Sequence, residues 1–272
     1  MPEGDTIFRA ARTLNRALGG KIVTKFETAL AHLARTDDDS PIAGRSVGNV
    51  DAVGKWMRIY FSGDLILLTH MLMSGSWHIY RAGEQWQRGR SHMRAAIHTA
   101  DFVAVAFDVP IAEFHTAASL ARHRAVPQLG PNVLDARFDE AEAAARIRSR
   151  PDLEIAVAIM RQRLVAGVGN IFKSEVCFAA SVNPFRKVGA LTDEELHSLM
   201  AHARRLMSAN ITETSGPGIV TYTGLNRAGA TDNCWVYGRR GAPCRRCGTP
   251  IESRKQGEEA RTTFWCPRCQ PL

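Results

Sequence analysis

The stretch VGNVDAVGKWMRIYFSGDLILLTH, residues 47–70, contains three short apolar runs that are divided by turn-forming residues. β-branched and aromatic side chains enrich these runs, and Ser62-Gly63-Asp64 is typical of a tight turn. Several short strands at this spacing predict an antiparallel sandwich or a barrel-like pair of sheets. The predicted strands are Lys21–Glu27, Val47–Val53, Trp56–Phe61, Leu65–His70, Trp77–Tyr80, Met93–His98 and Phe102–Phe107, with loops at Thr36–Ser40 and Ala82–Arg90.

Helical patterns flank this sheet region on both sides. Apolar residues recur at helical spacing from Asp5 to Leu18, and Gly19-Gly20 ends the pattern as helix-terminating glycines do. Beyond Gly130-Pro131 the pattern predicts helices at about 137–148, 152–165, 170–181 and 192–211, and then a loop over Ser215–Asn233. We therefore predict an α+β protein with a leading helix and with domains at 1–130, 131–232 and 233–272.

Composition and charge narrow the class of protein and of partner. The 272 residues carry 35 Lys and Arg against 27 Asp and Glu, a net charge of +8. The segment Gly238–Leu272 alone holds eight basic residues against three acidic ones, which favours a polyanionic partner. No apolar run approaches the roughly 20 residues of a membrane span, and no signal-peptide pattern follows Met1. We expect a soluble cytoplasmic protein that does not act on membranes.

Four of the six cysteines form the pattern Cys244-x-x-Cys247 and Cys266-x-x-Cys269. Two such turns facing each other place four thiolates around one Zn²⁺ ion, whereas a pair of disulfides would be disfavoured in a reducing compartment. Because four sulfur ligands leave no open position, we predict one structural zinc ion per chain. The other two cysteines, Cys177 and Cys234, are interpreted as buried or incidental.

The N-terminus offers a second candidate for chemistry. If Met1 is removed, Pro2 becomes a terminal secondary amine with the Glu3 carboxylate beside it. An α-amino group has a reference pKa of roughly 7.7 to 8, so a fraction of it is neutral and nucleophilic near neutral pH. The alternative is that a small second residue merely permits removal of the methionine.

Five further positions are candidates for contacts with a nucleic acid. Asn170 follows two glycines and opens a predicted helix, where N-terminal N–H groups and the side-chain amide could bind a phosphate; an ordinary helix start is the alternative. Lys55 is either an exposed hairpin lysine or a cation near Pro2 that neutralises a phosphate. Arg261, on a predicted zinc-bound hairpin, is the preferred phosphate ligand over its solvated basic neighbours. The apolar Leu72 and Met73 belong either to the core or to a wedge between stacked bases.

Four separated motifs occur together in this order along the chain: Met1–Gly4, Val53-Gly54-Lys55, Val165–Ile171 and the basic cysteine-rich tail that ends Phe264–Gln270. Together they resemble the formamidopyrimidine-DNA glycosylase and endonuclease VIII family, and the resemblance covers essentially the whole chain. It implies an N-terminal β-sandwich and a C-terminal helix-two-turns-helix domain with a zinc-finger hairpin. It also implies a bifunctional DNA glycosylase and abasic-site lyase of base-excision repair, acting as a monomer on double-stranded DNA.

The resemblance assigns roles to particular residues. Pro2 matches the nucleophile that attacks C1′ of the damaged nucleotide, after which the iminium drives β- and then δ-elimination. Glu3 matches the acid that protonates the deoxyribose ring oxygen. Lys55 matches the family's sheet lysine, Asn170 its phosphate-binding asparagine and Arg261 its zinc-finger arginine.

Two branches of the family differ in lesion preference, and the chain shares features with both. Its Pro2-Glu3-Gly4 start resembles endonuclease VIII, whose substrates are mainly oxidised pyrimidines. The segment His70–Gly75 resembles the purine branch, in which a loop methionine fills the base stack, as Met73 would here. Asp108–Phe114 lacks the arginine and glycine that the purine branch carries there, and Thr6 replaces a common glutamate. We predict action on oxidised pyrimidines and abasic sites; the alternatives are a purine-directed enzyme and a non-catalytic binder of damaged DNA.

Overall fold

The computed structural model describes residues 2–212, 221–222 and 233–272, which group into two compact units. The first unit contains Pro2 and Ile7–Gln128, and the second contains Glu3–Thr6 and Leu129–Leu272. The short segment Glu3–Thr6 therefore groups with the later half of the chain. Among the described residues, no helix combines the length and apolar character that a membrane span requires.

Two four-stranded antiparallel sheets form the first unit. Along the chain its elements are α1 (Gly4–Leu18, whose first three residues belong to the second unit), β1 (Lys25–Thr28), α2 (Ala31–Asp39), β2 (Val47–Val53), β3 (Trp56–Phe61), β4 (Leu65–His70), β5 (Ser76–Arg81), β6 (Met93–His98), β7 (Phe102–Phe107), β8 (Ile111–His115) and α3 (Ala117–Leu120). The strand orders are β1-β6-β7-β5 and β2-β3-β4-β8.

One core joins the two sheets of this unit. Met57 and Ile59 alternate with more exposed residues along β3, as expected for a strand with one buried face. Ile97 and Ala104 of the other sheet belong to the same cluster of buried residues, as does Leu14 of α1. The predicted β-sandwich with a leading helix is confirmed.

The first unit also departs from the sequence prediction. The loop predicted at Thr36–Ser40 is wrong, because α2 continues to Asp39; the helix is held by Leu33, which is fully buried. Strand β8 was missed, and the predicted strand Lys21–Glu27 begins only at Lys25.

Helices and one hairpin form the second unit. They are α4 (Glu140–Arg148), α5 (Ile155–Ala158), α6 (Asn170–Ala179), α7 (Asp193–Ala209), β9 (Glu252–Gln256) and β10 (Arg261–Trp265). Side-chain caps begin two of the helices: Asp139 accepts two N–H bonds at α4, and Thr192 forms a capping box at α7. The hairpin β9–β10 lies on α6, where Phe264 N donates to Ser174 Oγ over 3.2 Å.

The helix predicted at 152–165 is wrong over most of its length, since only α5 is helical. Later in that segment, Gln162 O accepts from Gly130 N, and Ala166 N, just beyond the segment, donates to Pro131 O. These tertiary hydrogen bonds replace the helical ones that the apolar spacing predicted. The loop predicted at Ser215–Asn233 lies outside the described residues, apart from Thr221, Tyr222 and Asn233.

Candidate functional site

The Glu3 carboxylate binds the N-terminus of α6. Ile171 N donates to Glu3 Oε1 over 2.7 Å, and Phe172 N donates to Glu3 Oε2 over 3.3 Å. The glutamate is fully buried, and Gly4 N donates to Gly167 O over 2.9 Å beside it. Two N–H donors and the positive end of a helix dipole stabilise the ionised form of the carboxylate. The structure thus places Glu3 and the glycine turn in one site, although 164 residues separate Gly167 from Glu3.

The glycines of this turn make the close approach of Glu3 possible. A Cβ atom on Gly169 would lie 2.3 Å from Glu3 Cδ, and one on Gly4 would lie 2.7 Å from Gly167 Cα. Gly167 itself has φ +103, a conformation that side chains other than glycine rarely adopt. The Gly-x-Gly pattern therefore makes room for a buried carboxylate.

This arrangement changes the interpretation of the turn as a phosphate cradle. The N–H groups of Ile171 and Phe172 already donate to Glu3, so these two amides do not bind a phosphate as the sequence predicted. Asn170, the first residue of α6, is 8% exposed, and its buried Oδ1 has no hydrogen-bond partner in the described part of the chain. A buried acceptor without a donor costs roughly 1–3 kcal/mol, so this side chain is suited to a ligand or to water.

Two other predicted site residues lie in the first unit. Pro2 is partly exposed, and Lys55 follows Gly54 in the β2–β3 turn, also partly exposed. The pKa of His70 falls to about 4, first because the ring is buried and second because of the positive charge on Lys55. The positive charge on Lys55 therefore acts on the ionisation of His70.

The turn after β4 presents its apolar side chains to solvent. Leu72 is 45% exposed and Met73 is 62% exposed, whereas Met71 before them is buried. Leu72 has φ +45, a left-handed conformation that costs free energy for a residue with a side chain. Both side chains are exposed, as the predicted wedge requires, and the alternative of a core position does not hold for either residue.

The four cysteines of the tail gather in one place. Cys244 Sγ and Cys269 Sγ are 3.9 Å apart, Cys247 Sγ and Cys266 Sγ are 3.5 Å apart, and all four sulfurs lie within 4.8 Å of one another. Sulfurs in a tetrahedral zinc shell with bonds of about 2.3 Å lie about 3.8 Å apart, so the four fit one Zn²⁺. Backbone N–H groups also point at two of the sulfurs, as is common around bound metal. This chain has a structural zinc site.

Arg261 begins β10 on the same hairpin. Its side chain is 39% exposed, and Nε donates to Glu259 Oε2 over 2.9 Å. Arg261, the preferred phosphate ligand, therefore lies on a strand of the hairpin and is accessible to solvent. One of its N–H donors already binds the Glu259 carboxylate.

Two buried charged residues of α6 were not predicted from the sequence. Glu175 Oε1 accepts from Val236 N and Tyr237 N, and Glu175 Oε2 accepts from Trp235 N and the Thr221 hydroxyl. Lys173 is 2% exposed. The sequence did show two charged residues inside a largely apolar helix. Such charges are buried only when they have hydrogen-bonding or ionic partners or serve a function.

Comparisons with known proteins extend over the whole chain. Three family models match: the formamidopyrimidine-DNA glycosylase N-terminal domain at residues 1–110, its H2TH domain at 129–221, and the zinc finger found in FPG and IleRS at 241–272. A probable endonuclease 8 2 of Streptomyces coelicolor is 35% identical over 273 residues, which cover 99% of this chain and 94% of that protein. The DNA-(apurinic or apyrimidinic site) lyase Nei2 of Mycolicibacterium smegmatis is 35% identical, with 99% of each chain covered.

Other relatives are more distant. The endonuclease 8 of Salmonella arizonae is 31% identical, covering 99% of this chain and all of that protein. Among solved structures, a Lactococcus lactis Fpg in complex with abasic-site DNA matches with a TM-score of 0.83 and 23% identity over the full length of both chains. This last likeness concerns the fold.

Proposed function

Because the chain belongs to the formamidopyrimidine-DNA glycosylase and endonuclease VIII family, we propose that it is a DNA glycosylase and abasic-site lyase acting on oxidised pyrimidines through Pro2. The observation that carries this proposal is the buried Glu3 carboxylate, held by two N–H groups of α6 directly after the proline in sequence. A helix terminus of the second unit thereby holds the residue that follows the reacting proline in sequence.

The reaction would begin at the secondary amine of Pro2, once Met1 is removed. The nitrogen attacks C1′ as the bond to the damaged base breaks, and the sugar ring then opens to leave an iminium at C1′. Loss of a C2′ proton expels the 3′ phosphate, and a second elimination expels the 5′ phosphate.

Glu3 would handle protons in these steps. Its hydrogen bonds favour the carboxylate, so we propose that Glu3 first accepts the proton that the attacking amine releases. The resulting carboxylic acid then protonates the ring oxygen and assists ring opening.

The remaining residues would bind the substrate. Lys55, Asn170 and Arg261 contact phosphates of double-stranded DNA, and Leu72 and Met73 fill the gap that a flipped nucleotide leaves. Support for pyrimidine lesions comes from the relatives called endonuclease 8 and from the missing arginine and glycine of Asp108–Phe114.

Borohydride trapping tests the proposal. The wild-type protein should form a covalent complex with duplex DNA that contains an abasic site, and Pro2→Gly should trap far more slowly. An unchanged trapping rate in Pro2→Gly would exclude the proline mechanism. Cleavage of dihydrouracil and thymine glycol duplexes, compared with 8-oxoguanine duplexes, separates the pyrimidine from the purine preference.

A second candidate function is abasic-site cleavage with little base excision. This candidate is favoured by the name of one relative, a DNA-(apurinic or apyrimidinic site) lyase. Single-turnover rates on intact lesions, compared with rates on preformed abasic sites, distinguish the two functions. A lyase alone would process only the abasic substrate.

A further inference from the structure

The second unit contains a cavity lined by one predicted site residue, Arg261, and by residues that the sequence did not indicate. Its volume is about 460 Å³, and both Lys173 of α6 and Arg261 of β10 line it. The two side chains come from different elements, a helix and the zinc-finger hairpin, and both are cationic. A cavity of this size can admit a phosphodiester group.

Lys173 lies in this cavity without a counterion. Its side chain is 2% exposed, and the described part of the chain places no carboxylate within ion-pair distance of its ammonium group. A buried charge without a hydrogen-bonded partner is costly, and few lysines are buried in this way unless they pair with an anion. Lys173 thus forms no ion pair within the described part of the chain, although the charge of Glu3 favours its protonated form.

The charges around Lys173 determine how it ionises. Burial lowers its pKa to about 8, the guanidinium of Arg261 acts in the same direction, and Glu3 opposes it. The Cys177 thiol is neutral near pH 7, because burial raises its pKa to about 12. Other charged residues lining the cavity are Asp152, Glu154, Arg161, Glu258 and Glu259.

Three of the four acidic residues of this lining are exposed to water, and the fourth, Glu154, keeps its negative charge while it accepts a hydrogen bond. Glu154 Oε2 accepts from Gln256 Nε2 over 2.7 Å, and Glu259 accepts from Arg261. Asp152 and Glu258 are exposed, where water and salt screen their charge. Lys173 is the buried charge, so its field is the least screened in the cavity.

We propose that Lys173 is a phosphate-binding residue, and that Lys173 and Arg261 together bind one backbone phosphate of the DNA strand in this cavity. This assignment rests on the proposed function, since the phosphate belongs to the substrate DNA. Lys173 follows Asn170 by three residues on α6, so both residues lie on neighbouring positions of one helix face. The phosphate would supply the anion that the buried ammonium lacks.

The proposal predicts a pH dependence with a definite sign. Lys173 must be protonated to bind the phosphate, and the bound phosphate raises the pKa of Lys173 above its value of about 8 in the free protein. The contribution to binding is therefore complete below pH 8, and it is lost as the pH rises through the higher pKa of the complex.

The experiment measures binding to a duplex that contains a tetrahydrofuran abasic-site analogue, which the enzyme cannot cleave. Lys173→Met should weaken binding about 10- to 100-fold near pH 7, the range for a lost charge-assisted hydrogen bond, and should lower the salt slope by about 1. Lys173→Arg should keep the affinity above pH 8, because a guanidinium stays charged. Lys187→Met, which removes an exposed charge from the same unit, is the matched control and should change the affinity little.

Three outcomes would overturn the proposal. Lys173→Met with wild-type affinity and salt slope would remove the phosphate role while leaving the enzyme's function intact. Unchanged affinity with slower borohydride trapping would show that Lys173 acts through Glu3. Wild-type protein that neither binds the analogue nor traps on abasic DNA would overturn the proposed function and this assignment with it.

Discussion

Gly169→Ala tests whether the glycine turn exists to accommodate Glu3. Gly169 has φ −123 and ψ −163, so the backbone itself tolerates alanine. The added Cβ would lie 2.3 Å from Glu3 Cδ and 2.6 Å from Glu3 Oε2, so the Glu3 side chain must leave α6. The substitution thus acts on Glu3 and not on the turn.

The size of the effect follows from the two hydrogen bonds that would be lost or weakened. Each N–H bond to a charged carboxylate contributes about 1.5–3 kcal/mol, and replacing glycine by alanine returns about 0.4–1 kcal/mol through the unfolded chain. If both bonds are lost, we expect a net loss of about 2 to 5.6 kcal/mol in the free energy of unfolding, together with much slower borohydride trapping.

A double-mutant cycle in urea unfolding makes the test specific. Glu3→Ala removes the same hydrogen bonds, so Gly169→Ala should cost almost nothing further in that background. Gly48→Ala is the control, because its Cβ would meet only Tyr60 O at 3.9 Å. Additive losses from Gly169→Ala and Glu3→Ala, or a Gly169→Ala protein as stable and active as wild type, would refute the reasoning.

Three further predictions concern the second unit. Removing zinc with a chelator should unfold the β9–β10 hairpin and abolish DNA binding, and adding Zn²⁺ should restore both; circular dichroism and a binding assay check this, and a chelated protein that still binds would contradict it. Glu259→Gln should strengthen DNA binding up to about fivefold, because an exposed ion pair with Arg261 contributes no more than about 1 kcal/mol and competes with phosphate; weaker binding in titrations would oppose this. Glu175→Gln should lower the free energy of unfolding by about 2–4 kcal/mol, because an NH₂ group would face backbone N–H donors; an unchanged urea midpoint would count against it.

The elements that sequence reasoning predicted best are those whose signal is local. Strands β2, β3 and β4 have the predicted bounds, because alternating apolar residues and turn residues both mark them. The zinc site could be predicted equally well, since the spacing of each cysteine pair lies within a single turn.

Elements that depend on contacts with residues distant in sequence could not be predicted from local signals. The Thr36–Ser40 segment has poor helix formers, yet α2 continues through it, held by buried Leu33. The segment after α5 has helical spacing, but Gln162 is engaged with Gly130 across the unit. In both cases tertiary contacts outweighed local preference.

The candidate site shows the same division. Pro2, Glu3 and Arg261 could be named from motifs, but the contact between Glu3 and the turn before α6 joins residues far apart in sequence. The partners of Glu175 and the isolation of Lys173 likewise depend on packing. A charge inside an apolar helix was visible in the sequence, whereas its partner was not.

Mass spectrometry of the borohydride-reduced complex identifies the nucleophile of the reaction. If Pro2 is the nucleophile, digestion should give a peptide that lacks Met1 and carries the deoxyribose remnant on the α-nitrogen of Pro2. Attachment to any lysine, or an active protein that retains Met1, would contradict the mechanism.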